Sequence, residues 1–340
     1  MPEQVTLRLQ NTETTGSAGR SLAATLYSPS LTIALTGLLG AGKTTFLQGF
    51  AGALGVGTSV VSPTFALEQR HPLPSGGEFL HIDLYRLSEK QAREFLASND
   101  DHEGIRCIEW ADRCPALIAE SDIHLHFEDR SPEETGRTLT VTFNDISFPS
   151  DQTISQWRTD VRLPSPVIAH CDAVASFSER IALHLLSHGT IVRTLAVKRA
   201  AAVHDLLRFV DFDRGQFAAH VKTEVTDDHR ALWKQWQERY TALRHEAACA
   251  AFLREQNFDA IATIVETHGL RIPPHSHATI EQKILFYSDK RLALDRIVSL
   301  TERFEDFTKR YGSAKAEESR IWFAQGRSIE TELFPDGVPF

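Results

Sequence analysis

The chain has 340 residues, enough for two domains of ordinary size, and its 42% apolar and 24% charged residues exclude a disordered, collagenous or fibrous protein. A formal net charge of −9 excludes a broadly basic surface of the kind that grips DNA. Cys107, Cys114, Cys171 and Cys249 show no CxxC spacing and read as reduced thiols; without a signal-peptide plan or an apolar run of membrane-spanning length, the expectation is a cytoplasmic protein with no membrane contact.

In chain order, residues 31–36 form a short run rich in β-branched and apolar side chains and predict a strand that stops at a glycine-rich turn. From 44 to 54, Phe46, Leu47, Phe50 and Leu54 recur on one face of a predicted helix. Further strands are predicted at 78–82, 105–108, 123–127 and 139–143, the last two from clear alternation. Strands interleaved with helices predict an α/β layer with a partly parallel sheet. Three prolines and several serines break the periodicity between 146 and 166. A linker is therefore expected at 149–165, between a domain at 1–148 and another at 166–340. Apolar-periodic stretches follow at 167–188, 194–209, 228–255, 257–268 and 277–309, with loops at 212–215 and Pro273-Pro274; they predict an all-α second domain.

Gly37-Leu38-Leu39-Gly40-Ala41-Gly42-Lys43-Thr44 satisfies GxxxxGK[ST] between a predicted strand and a predicted helix. There the glycines let backbone N–H groups face phosphate oxygens. Lys43 carries charge to the β and γ phosphates, and the Thr44 hydroxyl, followed by Thr45, reaches Mg2+. A glycine-rich turn that binds nothing has no need of the Lys-Thr pair. Three later segments bear on the chemistry: Val61-Ser62-Pro63-Thr64-Phe65, a turn in which Thr64 can meet a metal or terminal phosphate; residues 81–87, with Asp83 at a strand end; and Ile108-Glu109-Trp110. Singly, each acid reads first as a surface or capping residue. Beside a P-loop, strand-end carboxylates are where Mg2+ or its water ligands need negative charge.

Residues 5–145 resemble the TsaE family, the small ATPases of bacterial threonylcarbamoyladenosine tRNA modification. The motifs that carry this are GLLGAGKTTFLQGFAGALG, VSPTF, HIDLYRL, IEW and Thr135-Gly136-Arg137. The resemblance implies that residues 37–45 hold ATP, with Lys43 and Thr44 on phosphate and Mg2+. It also implies Thr64 as a switch residue, Asp83 and Glu109 as servants of the metal and the attacking water, Trp110 as a functional or partner-contact residue, and Arg137 beside the nucleotide. The implied partners are threonylcarbamoyl-transferase proteins of the TsaD and TsaB kind, with tRNA reached indirectly. Leu38 departs from the family's usual acid in GDLGAGKT, and 94–104 lacks its acidic-glycine segment.

Among fifteen histidines, the order His170, His204-Asp205, His245, His268, Asp289 stands out, each set in apolar helical context (VIAH, AAVHD, ILFYSD). Imidazoles and carboxylates from several bundled helices are an ordinary way to build a metal site. This order resembles the HD-domain metal-dependent phosphohydrolases, nearest the YqeK-like branch that hydrolyses diadenosine tetraphosphate. The resemblance implies His170, His204, Asp205 and Asp289 as core ligands, His245 and His268 at a second position, and an Fe2+ or Mn2+ pair. His184 with His188, and His275 with His277, read as solvated pairs; His124 and His126, on one side of a strand, read as structural.

The expectation is an α/β P-loop ATPase domain for tRNA threonylcarbamoylation followed by an all-α HD-type phosphohydrolase domain. The alternative is a nucleotide-switched regulatory protein whose helical half is a non-catalytic docking domain. A small-molecule kinase, which a P-loop also permits, leaves HIDLYRL and IEW without a role.

Overall fold

The computed structural model describes residues 2–99, 102–129, 136–214, 225–293, 295–311 and 316–340. The chain divides into two units, Met1–Ile146 with Leu183–Arg193, and Ser147–Ala182 with Thr194–Phe340.

The first unit runs β1 (Glu3–Leu9), α1 (Thr12–Ala23), β2 (Leu31–Gly37), α2 (Lys43–Ala53), β3 (Glu68–Pro72), β4 (Glu78–Asp83), α3 (Glu89–Ala97), β5 (Gly104–Glu109), α4 (Pro115–Glu120), β6 (Ile123–Asp129) and β7 (Arg137–Phe143). The strands form one seven-stranded sheet in the order β1-β7-β6-β2-β5-β4-β3. β6, β2, β5 and β4 are mutually parallel, and β1, β7 and β3 add antiparallel edges. The chain leaves β2 between β6 and β5, where the strand order reverses, and in open α/β sheets that crevice is where ligands bind.

One sheet face packs on α1 and α2 through Ile33, Leu35, Phe46, Phe50 and Phe127, together with Leu186 and Ile191 from residues 183–193. The other carries Ala34, Ile82, Ile108 and Leu117. Helices α1 and α2 touch backbone to backbone: a Cβ on Gly19 would stand 2.1 Å from the Phe46 carbonyl oxygen, and one on Gly49 2.1 Å from that of Gly16. This contact sets the height of α2, and with it the turn that precedes it. Residues 183–193 are pinned by Arg193, which is wholly buried. Its Nη1 and Nη2 donate to the two Asp145 carboxylate oxygens at 2.6 and 2.7 Å, Nε donates to the Thr25 carbonyl at 3.0 Å, and the guanidinium lies 4.1 Å from the Phe143 ring centre.

The second unit is helical: α5 (Asp151–Asp160), α6 (Ser165–Ser187, its end counted with the first unit), α7 (Thr194–Val203), α8 (Asp227–Arg239), α9 (His245–Glu255), α10 (Asp259–Glu266), α11 (Ile280–Arg291), a two-residue hairpin of β8 (Leu292–Ala293) and β9 (Arg296–Ile297), α12 (Leu300–Tyr311) and α13 (Ala316–Leu333). None of the described helices is long and apolar enough to cross a membrane.

The structure departs from the sequence-based expectations at several points. The linker expected at 149–165 instead carries α5, capped by Ser150 and anchored by buried Ile154 and Trp157. Two buried apolar residues one turn apart outweigh its polar composition. The stretch 228–255 is two helices, broken where Ala242 turns to φ 67°, and 277–309 is interrupted by the β8–β9 hairpin. The alternation of Val5, Leu7 and Leu9 makes β1, and Asn11 with Thr14 forms a capping box that starts α1; neither element was predicted. Thr135, Gly215 and part of 94–104 lie outside the described residues.

Candidate functional site

In the first unit the turn between β2 and α2 takes positive φ at Gly37 (134°), Gly40 (78°) and Gly42 (93°), values that disfavour any side chain. A Cβ on Gly37 would meet the Phe127 carbonyl at 2.5 Å, whereas Gly40 faces open space. The turn thus rests on β6 at one end and is bare at its tip. Lys43 opens α2, and its Nζ donates to the carbonyls of Gly37 and Leu38 at 2.7 and 2.9 Å while lying 3.9 Å from the Trp110 ring centre. Trp110 itself sits at φ 60°, a left-handed conformation that costs a non-glycine residue of order 1–3 kcal/mol and that clusters at functional sites. Its ring packs on Tyr85, centroids 4.7 Å apart.

The parallel register sets Asp83 of β4 beside Glu109 of β5, both nearly fully buried. Thr44 donates its hydroxyl to Glu109 Oε1 at 2.8 Å, and His81 Nε2 meets the same oxygen at 2.9 Å. Asp83 Oδ2 accepts from Ser62 and Thr64 at 2.9 and 2.6 Å, and its Oδ1 accepts from the Tyr85 N–H at 2.9 Å. One acid therefore holds the metal-type threonine of the P-loop, and the other holds the Val61–Phe65 turn. A cleft of about 350 Å³ opens between Gly40, Lys43, Thr44, Thr64, Asp83 and Glu109. Leu39, Ala41, Gly42 and Thr45 also line it, whereas Gly37, Leu38 and Arg137 do not. The Leu38 side chain is 63% exposed, and Arg137 instead donates Nη1 to the Gly40 carbonyl at 3.1 Å. Open space on the Cβ side of Gly40, an ammonium at the head of a helix and a Thr–Glu pair make a cradle suited to a metal-bound polyphosphate. Ser62 lines it as well, and buried His81 braces Glu109; both lie inside motifs already singled out, but the pairing of Ser62 with Asp83 across twenty-one residues has no local signature.

In the second unit the six metal-type residues come together from five places in the chain: His170 on α6, His204-Asp205 after α7, His245 at the start of α9, His268 after α10 and Asp289 on α11. The Asp205 carboxylate faces two ways. Its Oδ1 is 3.2 Å from His245 Nε2 and 3.6 Å from His268 Nε2, and those two nitrogens are 3.2 Å apart. Its Oδ2 is 3.9 Å from His204 Nε2, which lies 3.8 Å from Asp289 Oδ1; His170 Nε2 is 3.1 Å from that same oxygen. Four donors each about 2.0–2.1 Å from a tetrahedral ion stand roughly 3.3 Å apart, so both sets are close to ligand spacing.

The protonation pattern agrees. His204 donates Nδ1–H to the Ala201 carbonyl at 2.7 Å and has a buried Nε2 with no hydrogen-bond partner; His268 donates to Val265 at 2.6 Å. Burial pulls the His204 imidazole down to about 4, which keeps it neutral. Burial works against the ionised Asp205 and Asp289, but Arg208 and the nearby imidazoles hold Asp205 well below the usual carboxylate range, and Lys290 with His170 does the same for Asp289. These residues fit a pair of divalent ions.

All of these residues except His204 border a cavity of about 180 Å³ that also takes in Arg208, Arg271, Lys290, Arg303 and Trp322. Sequence reasoning missed Asp211 and Glu246, which lie against His245, and the cationic lining. Glu246 adjoins a predicted ligand; Asp211 has only its apolar neighbours Phe209, Val210 and Phe212 to mark it as a buried acid. Away from the cluster, His124 and His126 both bond Thr36 Oγ1, at 2.9 and 2.8 Å. The His184 and His188 rings lie 4.1 Å apart.

The family model for threonylcarbamoyl adenosine biosynthesis protein TsaE matches residues 9–139, all within the first unit. A tRNA threonylcarbamoyladenosine biosynthesis protein TsaE of Streptomyces coelicolor is 36% identical over 132 residues, covering 36% of this chain and 86% of that protein. Its namesake in Bacillus subtilis is 30% identical over 145 residues, covering 42% and 89%. A crystal structure of Bacillus subtilis YdiB aligns at 30% identity over 42% of this chain and 87% of its own, with a TM-score of 0.32. Relatives at 36% and 30% identity, matched over 86% and 89% of their own length, settle the grouping: the chain belongs to the TsaE family.

Proposed function

We propose that the chain is an ATP-binding and ATP-hydrolysing factor of threonylcarbamoyladenosine modification in ANN-decoding tRNAs, and that its helical unit is an HD-type phosphohydrolase acting on a nucleotide or other phosphoester. The observation that carries the first part is the Thr44–Glu109 bond inside the P-loop cleft. Bound Mg2+ supplies charge neutralisation of the phosphates and a polarised water position. The chain's own residues do the rest: the backbone of 39–45 cradles phosphate, Lys43 leaves its carbonyls for the β and γ oxygens, and Glu109 orients Thr44. Asp83 fixes Thr64 in the cleft, where its hydroxyl would be available to the phosphate or its metal. The names of the relatives support the pathway, and TsaD- and TsaB-like proteins are the partners that reading implies. Complementation tests it: the full chain restores the modification in cells lacking their own TsaE-type protein, and Lys43→Ala does not.

For the second unit the supporting observation is the two-way Asp205 carboxylate between two ligand sets. A divalent transition-metal pair of the Fe2+ or Mn2+ kind suits these nitrogen and carboxylate oxygen donors, and would supply Lewis-acid activation of water for attack on a phosphoester. Arg208, Arg271, Arg303 and Lys290 give the cavity the charge to receive a phosphate, and Trp322 offers an aromatic wall. Purified chain with two metal ions and phosphoester hydrolysis, both lost in His204→Ala, is the expected result. Protein that takes up no metal would leave a docking domain in its place.

A further inference from the structure

On the reading of this cluster as a two-metal centre, we infer that Asp211 is a positioning residue: its carboxylate turns His245 so that Nε2 faces the second ion. A ligating imidazole is oriented by the bond its other nitrogen makes. His204 and His268 donate Nδ1–H to carbonyls three residues back, those of Ala201 and Val265. His245 cannot do this. It is the first residue of α9, and the residue three back, Ala242, is in the left-handed turn before the helix.

A carboxylate takes the carbonyl's place. His245 Nδ1 lies 2.7 Å from Asp211 Oδ2, and Arg244 Nη2 donates to that same oxygen at 3.0 Å. Glu246 Oε2 stands 3.2 Å from Nδ1 on a second side. Asp211 is 1% exposed, and its Oδ1 is buried without a partner, so the side chain is committed to this contact. Gly269, next to the ligand His268, leaves room for Glu246: a Cβ there would come within 2.2 Å of Glu246 Oε1. Arg208 Nη1 lies 3.0 Å from Nδ1 and 2.7 Å from Nε2, and so stands against the ring itself rather than beyond either nitrogen. Asp211 Oδ2, 2.7 Å from Nδ1, can only accept, so Nδ1 carries a proton, and Nε2 faces Asp205 Oδ1, 3.2 Å away. An anionic acceptor behind a ligating histidine fixes its tautomer and raises its basicity, and removing such a partner typically costs about 10–100-fold in metal affinity.

The test uses the full chain without substrate, equilibrated with Mn2+ and analysed for bound metal by equilibrium dialysis. Wild type is expected to hold two ions. Asp211→Asn keeps an acceptor without charge, and Asp211→Ala keeps neither. Both should weaken one ion, alanine more than asparagine and by about 10–100-fold, with the other ion unchanged. Asp211→Asn and Asp211→Ala that bind both ions as wild type does overturn the inference. So does equal loss of both ions with a fall in metal-free stability, the mark of a merely structural residue. Wild type that binds no Mn2+ fails at the earlier step and removes the two-metal reading itself.

Discussion

The first unit depends on Arg193 for a buried ion pair that a single change removes. In Arg193→Met the stem still packs on Phe143, but Asp145, whose side chain is 2% exposed, keeps its charge and loses both donors. Breaking a buried pair from one side costs about 3–5 kcal/mol, because the remaining charge is left in a poor solvent. The Thr25 carbonyl loses its bond as well, a further loss of about 1 kcal/mol. Against a whole-domain stability of about 5–15 kcal/mol, that brings the unit close to unfolding. A second change, Asp145→Leu, removes the stranded charge and should recover most of the loss, since apolar replacement of a buried pair is often neutral. A two-unit chain does not unfold in one step, so the assay is amide hydrogen exchange read on the Arg137–Phe143 strand. Protection there that falls by less than about 1 kcal/mol in Arg193→Met, a typical surface effect, would refute this role for the buried pair.

Glu109→Gln should still bind ATP while hydrolysing it at least about 100-fold more slowly, because Thr44 loses its anionic anchor; ATP titration beside a phosphate-release assay checks both. Leu38→Asp, which restores the acid usual in the family, should move the ATP dissociation constant by less than about threefold, since an exposed charge outside the cleft is screened. Chelation of metal from the wild-type chain should lower the unfolding temperature of the helical unit, an effect absent in His204→Ala, as scanning calorimetry would show. A fragment ending at residue 150 should be much less stable than the intact unit, because Leu186, Ile191 and Arg193 are missing from it; its far-ultraviolet dichroism and exchange protection report this.

The parts of the molecule legible in the sequence are those in which one local pattern carries one physical requirement. The P-loop needs glycines at fixed offsets and an ammonium at a helix start, so Gly37 to Thr44 could be read directly. His204-Asp205 was legible because an imidazole and a carboxylate side by side in an apolar run are costly to bury unless a ligand or ion compensates them. Asp211 was not, since its partner His245 is thirty-four residues away and the need for it arises only where α9 begins. The α5 helix hid behind polar composition, with Trp157 and Ile154 the only side chains that show its buried face. Nor could any local pattern show that 183–193 belongs with the first 146 residues, because the pairing of Arg193 with Asp145 is a matter of topology.

That last arrangement sets an order of events during synthesis. When Asp145 leaves the ribosome, roughly fifty more residues must follow before its cation does, which at about 5–20 residues per second is a wait of roughly 2–10 s. Throughout that interval the nascent sheet has a bare patch where Leu186 and Ile191 will sit, and an acid that water must solvate. The P-loop unit precedes most of the helical unit along the chain, yet it is complete only after residues 147–182 of that other unit have been made.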